Sequence, residues 1–393
     1  MSYNQVAMSR FWILLATFGA YLPSAALPVL AHRSDVPGGP LDPSVLVVPF
    51  CVAFAAAFPL WGWVADRLAP TRVIAVALGL TALAGAAVAL APNEATLVLA
   101  RAVQGAAAAG VPPAAQAAIA GASAEGEAGR AMSPMMLAVA LAVLGGPAVA
   151  TFVADAAGWT ASALAIGSAL PLALAGAGAR IGGGGEHGAR TRVSIARRYN
   201  DARGVRAGWI VSACVLAGHW TVLTRIAEAL GSGGLGAGDR WIATAPLIGA
   251  LGLPLVVLAA RACDRVGPRA PMVATLAVGA LGFALAASAA TVGVFLAAAG
   301  VGLAIYWAYL PVVAAQVQRS AGAGARGRAA GGLYASMWCA AALAGALASL
   351  TPSWRVVLAG AALSWATGAI IALRRFIRAP AIAHAELAAT RAA

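Results

Sequence analysis

The chain has 393 residues, of which 62% are hydrophobic and 10% charged, with a net charge of +13 and a mean hydropathy of +0.86. Soluble domains carry roughly 25% charged residues, so no water-soluble fold could hide this much apolar surface, and the solvent is lipid. The positive balance does not indicate nucleic acid, because the charges punctuate apolar runs instead of clustering on one soluble face, and every basic residue is arginine.

Arg10 and the apolar run behind it could imitate a signal peptide. The run continues to about Leu30 and further spans follow, so a first membrane helix is expected. Stretches of the length needed to cross about 30 Å of hydrocarbon are expected at about 11–31, 43–65, 72–91, 95–120, 131–153, 159–178, 208–229, 241–260, 270–290, 292–316, 329–350 and 355–374. They must be helices, since lipid offers no partner to backbone amides, and the short alternating strands of a barrel are not visible. Several are rich in Ala and Gly, which suits close helix packing in lipid. The expected fold is an all-α membrane protein of twelve helices in two six-helix repeats around a central cavity.

With both termini inside, the cytoplasmic segments hold 21 of the 26 arginines, leaving Arg33, Arg101, Arg225, Arg240 and Arg355. That asymmetry fixes the orientation. The segment RIGGGGEHGARTRVSIARRYNDARGVRA, residues 180–207, carries seven arginines and divides the chain. The expected organisation is a helical bundle over 1–179, a basic cytoplasmic linker over 180–207, a second bundle over 208–376 and a cytoplasmic tail over 377–393. The RRYNDAR portion could lie on anionic headgroups or serve only as a topogenic loop. Cys51, Cys214, Cys263 and Cys339 are far apart with no metal spacing, so neither a disulfide framework nor a metal or cofactor site is expected.

The phrase WGWVADRLAPTR at 61–72 returns as AARACDRVGPR at 259–269, which places Asp66 and Asp264 198 positions apart. Gly129-Arg130-Ala131 and Gly327-Arg328-Ala329 are separated by the same interval, and GVPPAAQ, ending at Gln116, corresponds loosely to LPVVAAQ, ending at Gln316. Such a six-plus-six repeat places a substrate site between the halves near the bilayer midplane.

These residues carry a resemblance. Gly62-x-x-x-Asp66-Arg67 with Arg72 resembles the loop signature of the major facilitator superfamily, and Arg101-x-x-Gln104-Gly105 resembles its second signature. Gly145-Gly146-Pro147 resembles the fifth-helix signature of its drug/proton antiporter branch. The loop departs from the pattern at Ala69, Pro70 and Thr71, the second copy has Ala260 for the leading glycine, and the first helix has no acidic residue. The resemblance implies a gating role for Asp66, Arg67 and Arg72, and for Asp264 with Arg265 in the second copy. The physical basis is that an Asp at a helix end can bond a neighbouring helix N-terminus or Arg. The alternative is that these charges only set topology.

Arg101 lies about 9 Å inside its helix, where charge is costly unless it finds a partner or a cavity. Gln104 shares its face. Substrate binding or coupling is one reading, and snorkelling to the interface the other. Gly145, Gly146 and Pro147 could bend the fifth helix. Arg225 and Glu228, three apart, form a candidate pair near the periplasmic end. His219 lies near mid-membrane, either as a proton carrier or as a neutral imidazole bonded to a neighbour. The resemblance places Tyr21, Tyr306, Trp307 and Tyr309 on cavity-lining helices, and Tyr334 and Trp338 add further aromatics from the eleventh, with packing or an interfacial belt as the alternative.

No Walker-type glycine loop and no nucleophile–base constellation is visible, so neither an ATP-driven machine nor an enzyme is expected. The expectation is a secondary active transporter of the bacterial inner membrane. It would be a monomer surrounded by lipid that exports small organic molecules in exchange for protons. A cavity without a fixed carboxylate suits neutral, zwitterionic or anionic solutes. An importer of an organic anion on the same fold and a non-transporting sensor or scaffold are the alternatives.

Overall fold

The computed structural model describes residues 3–124, 126–182, 201–231, 234–237, 245–322 and 324–376. Most of the linker (183–200), the tail from 377 and Arg240 lie outside the described residues. Everything described is helix, turn or loop, without a strand. Eleven helical stretches are long and apolar enough to cross a membrane.

The chain runs α1 (Tyr3–Ala26), α2 (Pro43–Ala65), α3 (Pro70–Ala89), α4 (Glu94–Ala108) and α5 (Val111–Ala122), then α6 (Ala128–Leu164) and α7 (Leu170–Gly182). The second half comprises α8 (Ala202–Leu230), α9 (Leu253–Val266), α10 (Arg269–Ala287), α11 (Val292–Ser320), α12 (Arg326–Ser349) and α13 (Trp354–Arg375). Helix starts follow local chemistry. Asp42 precedes Pro43 and accepts from Ser44 N at 2.7 Å. Asn93 and Thr96 form a capping box, and Asp201 accepts from the amides of Arg203 and Gly204.

The stretch from Ala128 to Gly178 is 51 residues long. A straight helix of that length would reach about 76 Å, more than twice the hydrocarbon thickness. It turns back at Gly158 (φ 82°, ψ 177°), a conformation open essentially to glycine alone. The Ser162 hydroxyl therefore donates to Ala150 O at 3.2 Å, although twelve helical residues would separate them by about 18 Å. The stretch therefore runs as two segments that fold back on each other at Gly158. The expected span at 95–120 breaks at Ala109–Gly110, where Pro112 and Pro113 remove amide donors. The one at 241–260 opens as a 3-10 segment, Ala245–Gly252, before α9.

The exterior is inverted relative to a soluble protein. Leu60, Leu83, Leu99, Phe152 and Leu363 are exposed, Phe152 by 77%, as a lipid-facing surface requires. Indole N–H groups tie helices within each half: Trp12 to Leu174 O and Trp61 to Ala106 O in the first, Trp209 to Ala329 O and Trp365 to Val215 O in the second. Between the halves, α2 packs along α12, and α6 along α9 and α11.

At the end opposite the 66–69 connection, Asp35 ties the loop after α1 to the Gly158 turn. Its carboxylate accepts from Trp159 N at 2.7 Å and from Arg33 Nε at 3.0 Å, while Arg33 also reaches Asp155 at 2.8 Å. The Trp159 amide, with Arg33 beside it, holds the Asp35 carboxyl below its ordinary range. A depressed carboxylate contributes stability above its unfolded value near pH 4, and that contribution is lost as pH falls through the folded value. The stability difference between wild type and Asp35→Asn, followed by thermal unfolding in detergent, is therefore expected to be constant from neutrality to about pH 5 and to shrink below about pH 4. A difference that does not change with pH would remove the ionic account of this tie.

Candidate functional site

At the end carrying the 66–69 connection, called the Asp66 end, two loops cross between the halves in the same way. Asp66, at the C-terminus of α2, accepts from the amides of Gly327 (2.6 Å) and Arg328 (3.2 Å), which open α12, and from Arg328 Nε at 2.8 Å. Asp264, on the last turn of α9, accepts from the amides of Gly129 and Arg130 at 2.8 Å each, which open α6, and from Arg319 Nη2 at 3.0 Å. Each carboxylate thus sits on the positive end of a helix from the other half, where exposed amides and the helix dipole favour an anion. Both carboxylates are nearly buried, 6% and 3% exposed at the side chain.

The close approach depends on glycine. A Cβ on Gly62 would lie 2.6 Å from Gly327 O, and one on Gly327 would lie 2.5 Å from Gly62 O. In the second copy Ala260 stands where Gly62 does, and the clearance comes from Gly129, whose Cβ would meet Ala260 O at 2.5 Å. Arg67 and Arg265 are not latch partners in either copy. The Arg67 guanidinium lies 3.6 Å over the Trp63 ring. Arg265 is exposed on the last turn of α9, and Arg72 is exposed in the first turn of α3. The cations that do bond the carboxylates, Arg328, Arg130 and Arg319, mark helix starts or a helix end, and the repeated Gly-Arg-Ala triplet was the visible signal of the first two.

Above these latches, between the halves, lies a central cavity of about 100 Å³. Its aromatic walls are Tyr21, Trp220, Tyr306, Trp307, Tyr334 and Trp338; aliphatic and Met side chains, Gln116 and His219 complete it, and no charged side chain among the described residues lines it. His219 lies face-on against Tyr306, with ring centroids 3.9 Å apart at 19°, and its Nδ1 has no partner among the described residues. Phe54 braces the wall from behind, edge to face with both Tyr21 (5.7 Å) and Trp338 (5.5 Å), and Phe58 stacks on Tyr334 at 5.1 Å.

Between the cavity and the latches is a polar floor. Gln116 Nε2 donates to the Tyr334 hydroxyl at 2.7 Å, joining α5 to α12. Gln318 Nε2 reaches Gln116 Oε1 at 3.4 Å and Arg326 O at 3.2 Å. All three side chains are buried. Gln116 was visible in the sequence only as a repeat marker equivalent to Gln316, and its partners across the halves are Tyr334 and Gln318. Nothing local in the sequence pairs residues on three different helices.

Arg101, Gln104 and Tyr309 do not reach the cavity, which corrects their expected placement. Arg101 is fully buried inside the first half. Its Nε donates to Leu46 O at 3.0 Å, and its Nη1 to Gln104 Oε1 at 2.6 Å and to Pro23 O at 3.4 Å, while the guanidinium lies 4.6 Å over Phe50. It neither snorkels nor finds a carboxylate. Gln104 in turn donates to Gly167 O at 3.3 Å, the carbonyl whose i+4 position is Pro171 and so offers no amide. Tyr309 is turned toward α8 and shares a 2.8 Å hydrogen bond with Ser212.

Arg225 pairs with Glu228 and donates to the carbonyls of Ala348 and Thr351, tying α8 to the end of α12 away from the latches. Of the fifth-span triplet, Gly146 packs on α1, where a Cβ would meet Leu22 Cδ1 at 3.3 Å, and Gly145 faces open space. Pro147 sits inside α6 without breaking it, and its carbonyl accepts from Thr151 Oγ1 at 3.0 Å.

The pattern of the Major Facilitator Superfamily matches residues 11–182. No curated protein sequence matches the chain. Among solved structures, the proton:xylose symporter XylE bound to 6-bromo-6-deoxy-D-glucose is similar over 93% of this chain and 95% of its own, at 17% identity and a TM-score of 0.74. A bacterial homologue of the iron transporter ferroportin, outward-facing and soaked with iron, is similar over 96% and 100%, at 14% identity and a TM-score of 0.74. The transporter FucP in its outward conformation is similar over 93% and 98%, at 12% identity and a TM-score of 0.68. The sequence pattern thus covers the first half of the chain, residues 11–182, and the fold of these solved transporters extends across both halves.

Proposed function

We propose that the protein is a secondary active transporter of the bacterial inner membrane, working by alternating access and exporting small organic molecules in exchange for protons. The observation that carries the reading is the crossed pair of carboxylate latches beside a cavity between the halves. The latches close one face, and a rocking motion of the two bundles, 1–179 against 208–376, must break both to open it. The arginine asymmetry puts the latches and both termini on the cytoplasmic side. The likeness of Gly145-Gly146-Pro147 to the antiporter signature supports export.

His219 is the proposed proton carrier. It lines the cavity with an unpartnered ring nitrogen, and imidazole is the side chain suited to exchanging protons near neutrality. In proteoliposomes containing a pH dye, a transported solute is expected to release protons down an imposed gradient. His219→Gln is expected to abolish that proton movement while leaving exchange of labelled solute for unlabelled solute. Solute crossing with no proton response in wild type would replace the proton by another ion or by none. Solute moving in the same direction as protons would make the protein an importer.

A further inference from the structure

The cavity's lining bears on what it holds. The inference rests on the reading of this site as the solute site of a carrier, and narrows it. Four observations converge. First, no Arg, Asp or Glu among the described residues lines the cavity, and Arg101, the fully buried charge of the first half, is held inside that half by two carbonyls and Gln104 through Nε and Nη1, with Nη2 left without a partner among the described residues. An anion would enter without a cation to meet it. A cation could lie on aromatic faces, but it would find no carboxylate and would share the low-dielectric interior with the Arg101 charge.

Second, the walls are flat and fixed. The edge-to-face contacts of Phe54 with Tyr21 and Trp338, and the Phe58–Tyr334 stack, hold the rings before any solute arrives, which lowers the ordering needed on binding. His219 on Tyr306 shows that two flat rings already stack there. Third, the volume of about 100 Å³ approaches that of an engineered apolar cavity of about 150 Å³ that holds benzene, so there is room near one ring system and little for a flexible chain. Fourth, the polar groups are neutral and paired as donor and acceptor: the Gln116 amide on the Tyr334 hydroxyl, with the buried His219 Nδ1 left without a partner.

We infer that the cavity takes an uncharged, planar aromatic solute bearing one amide-like group, with its rings against the Tyr/Trp walls and its polar group in place of the Gln116–Tyr334 hydrogen bond. The solute carbonyl accepts from Gln116 Nε2, and the solute N–H donates to the Tyr334 oxygen. Because that bond joins α5 to α12, a solute that takes it over replaces a direct tie between the halves by a bridge through itself.

The test is equilibrium dialysis of the full chain in lipid nanodiscs, with protein-free discs subtracted, against three probes on one scaffold: benzamide, benzoate and phenyltrimethylammonium. The amide is expected to bind saturably at one per chain, about tenfold or more tighter than either ion. Gln116→Leu and Tyr334→Phe are each expected to weaken the amide about fivefold to tenfold, the scale of one lost hydrogen bond. Tyr334→Phe keeps the ring that stacks on Phe58, so a folding defect is separated by comparing thermal unfolding of the two proteins. The inference is overturned if the ammonium binds as tightly as the amide, if the benzoate binds tightest, if none of the three binds, or if both variants bind the amide like wild type. Dialysis needs no flux. Amide binding without transport would sink the carrier reading and leave the binding site, whereas transport of some other solute without amide binding would do the reverse.

Discussion

Asp66→Asn is expected to reduce transport about tenfold or more while the protein reaches the membrane at the wild-type level. The carboxylate accepts two backbone amides and the Arg328 side chain. A charge-assisted hydrogen bond contributes about 1.5–3 kcal/mol. Asparagine keeps one acceptor oxygen and turns an N–H₂ toward donors, so at least one such bond becomes a clash of like groups. A loss of about 3 kcal/mol shifts the closed-to-open ratio about a hundredfold, which strands the halves in one arrangement. Asp264→Asn is expected to act in the same direction, because Asp264 holds the matching position on α6. The state can be read without any solute. Cys263 is buried beside Asp264, and in a variant whose other three cysteines are alanine it should be nearly inert to a water-soluble maleimide. Asp66→Asn in that background is expected to make it reactive from the Asp66 side. Unchanged labelling together with wild-type transport would remove the latch from the mechanism.

Gly85→Val is expected to leave no folded protein. A Cβ on Gly85 would lie 1.8 Å from Gly167 O and 2.2 Å from Gly167 C. These are backbone atoms that cannot rotate away, so α3 would have to leave the segment joining α6 to α7. Overpacking a well-fitted core costs about 1–3 kcal/mol even when side chains can adjust, and a backbone obstacle lies beyond that. Gly79→Val is the control on the same helix, since nothing lies within 4 Å of its Cβ and only the modest propensity change remains. The monodisperse fraction in detergent separates the two. Equal fractions for the two variants would mean that α3 tolerates displacement and that the close contact is incidental.

Much of the architecture was legible because membrane helices announce themselves by length. The span 43–65 was readable to the residue: Asp42-Pro43 starts it, and the charged Asp66 follows its end. The repeat was legible because two short phrases recur at a constant interval, and the crossed geometry of Asp66 and Asp264 follows from that recurrence. The turn between the fifth and sixth spans was legible as a gap but not as a mechanism, since one glycine with a positive φ does the work of a loop. The 3-10 segment at Ala245–Gly252 was hidden because hydrophobicity does not distinguish helix types. At the site, Tyr306 and Trp307 were legible as aromatics on one helix, but Tyr309 was not separable from them. All faces of a buried helix are apolar, so periodicity gives no direction. Arg101 misled for a related reason. A charge within a span signals function when no partner is visible, and its partners are carbonyls 55 and 78 positions away.

The absence of any charged side chain around the cavity among the described residues has an electrical consequence. If the cargo is uncharged and the counter-ion is a proton, each turn carries one net positive charge across the bilayer. Membrane potential then acts on the cycle directly, at about 2.3 kcal/mol per elementary charge per 100 mV. A cell with little difference in pH across its membrane but a large voltage would still drive such export, and a cell that lost its voltage would lose part of the driving force for every solute this chain handles.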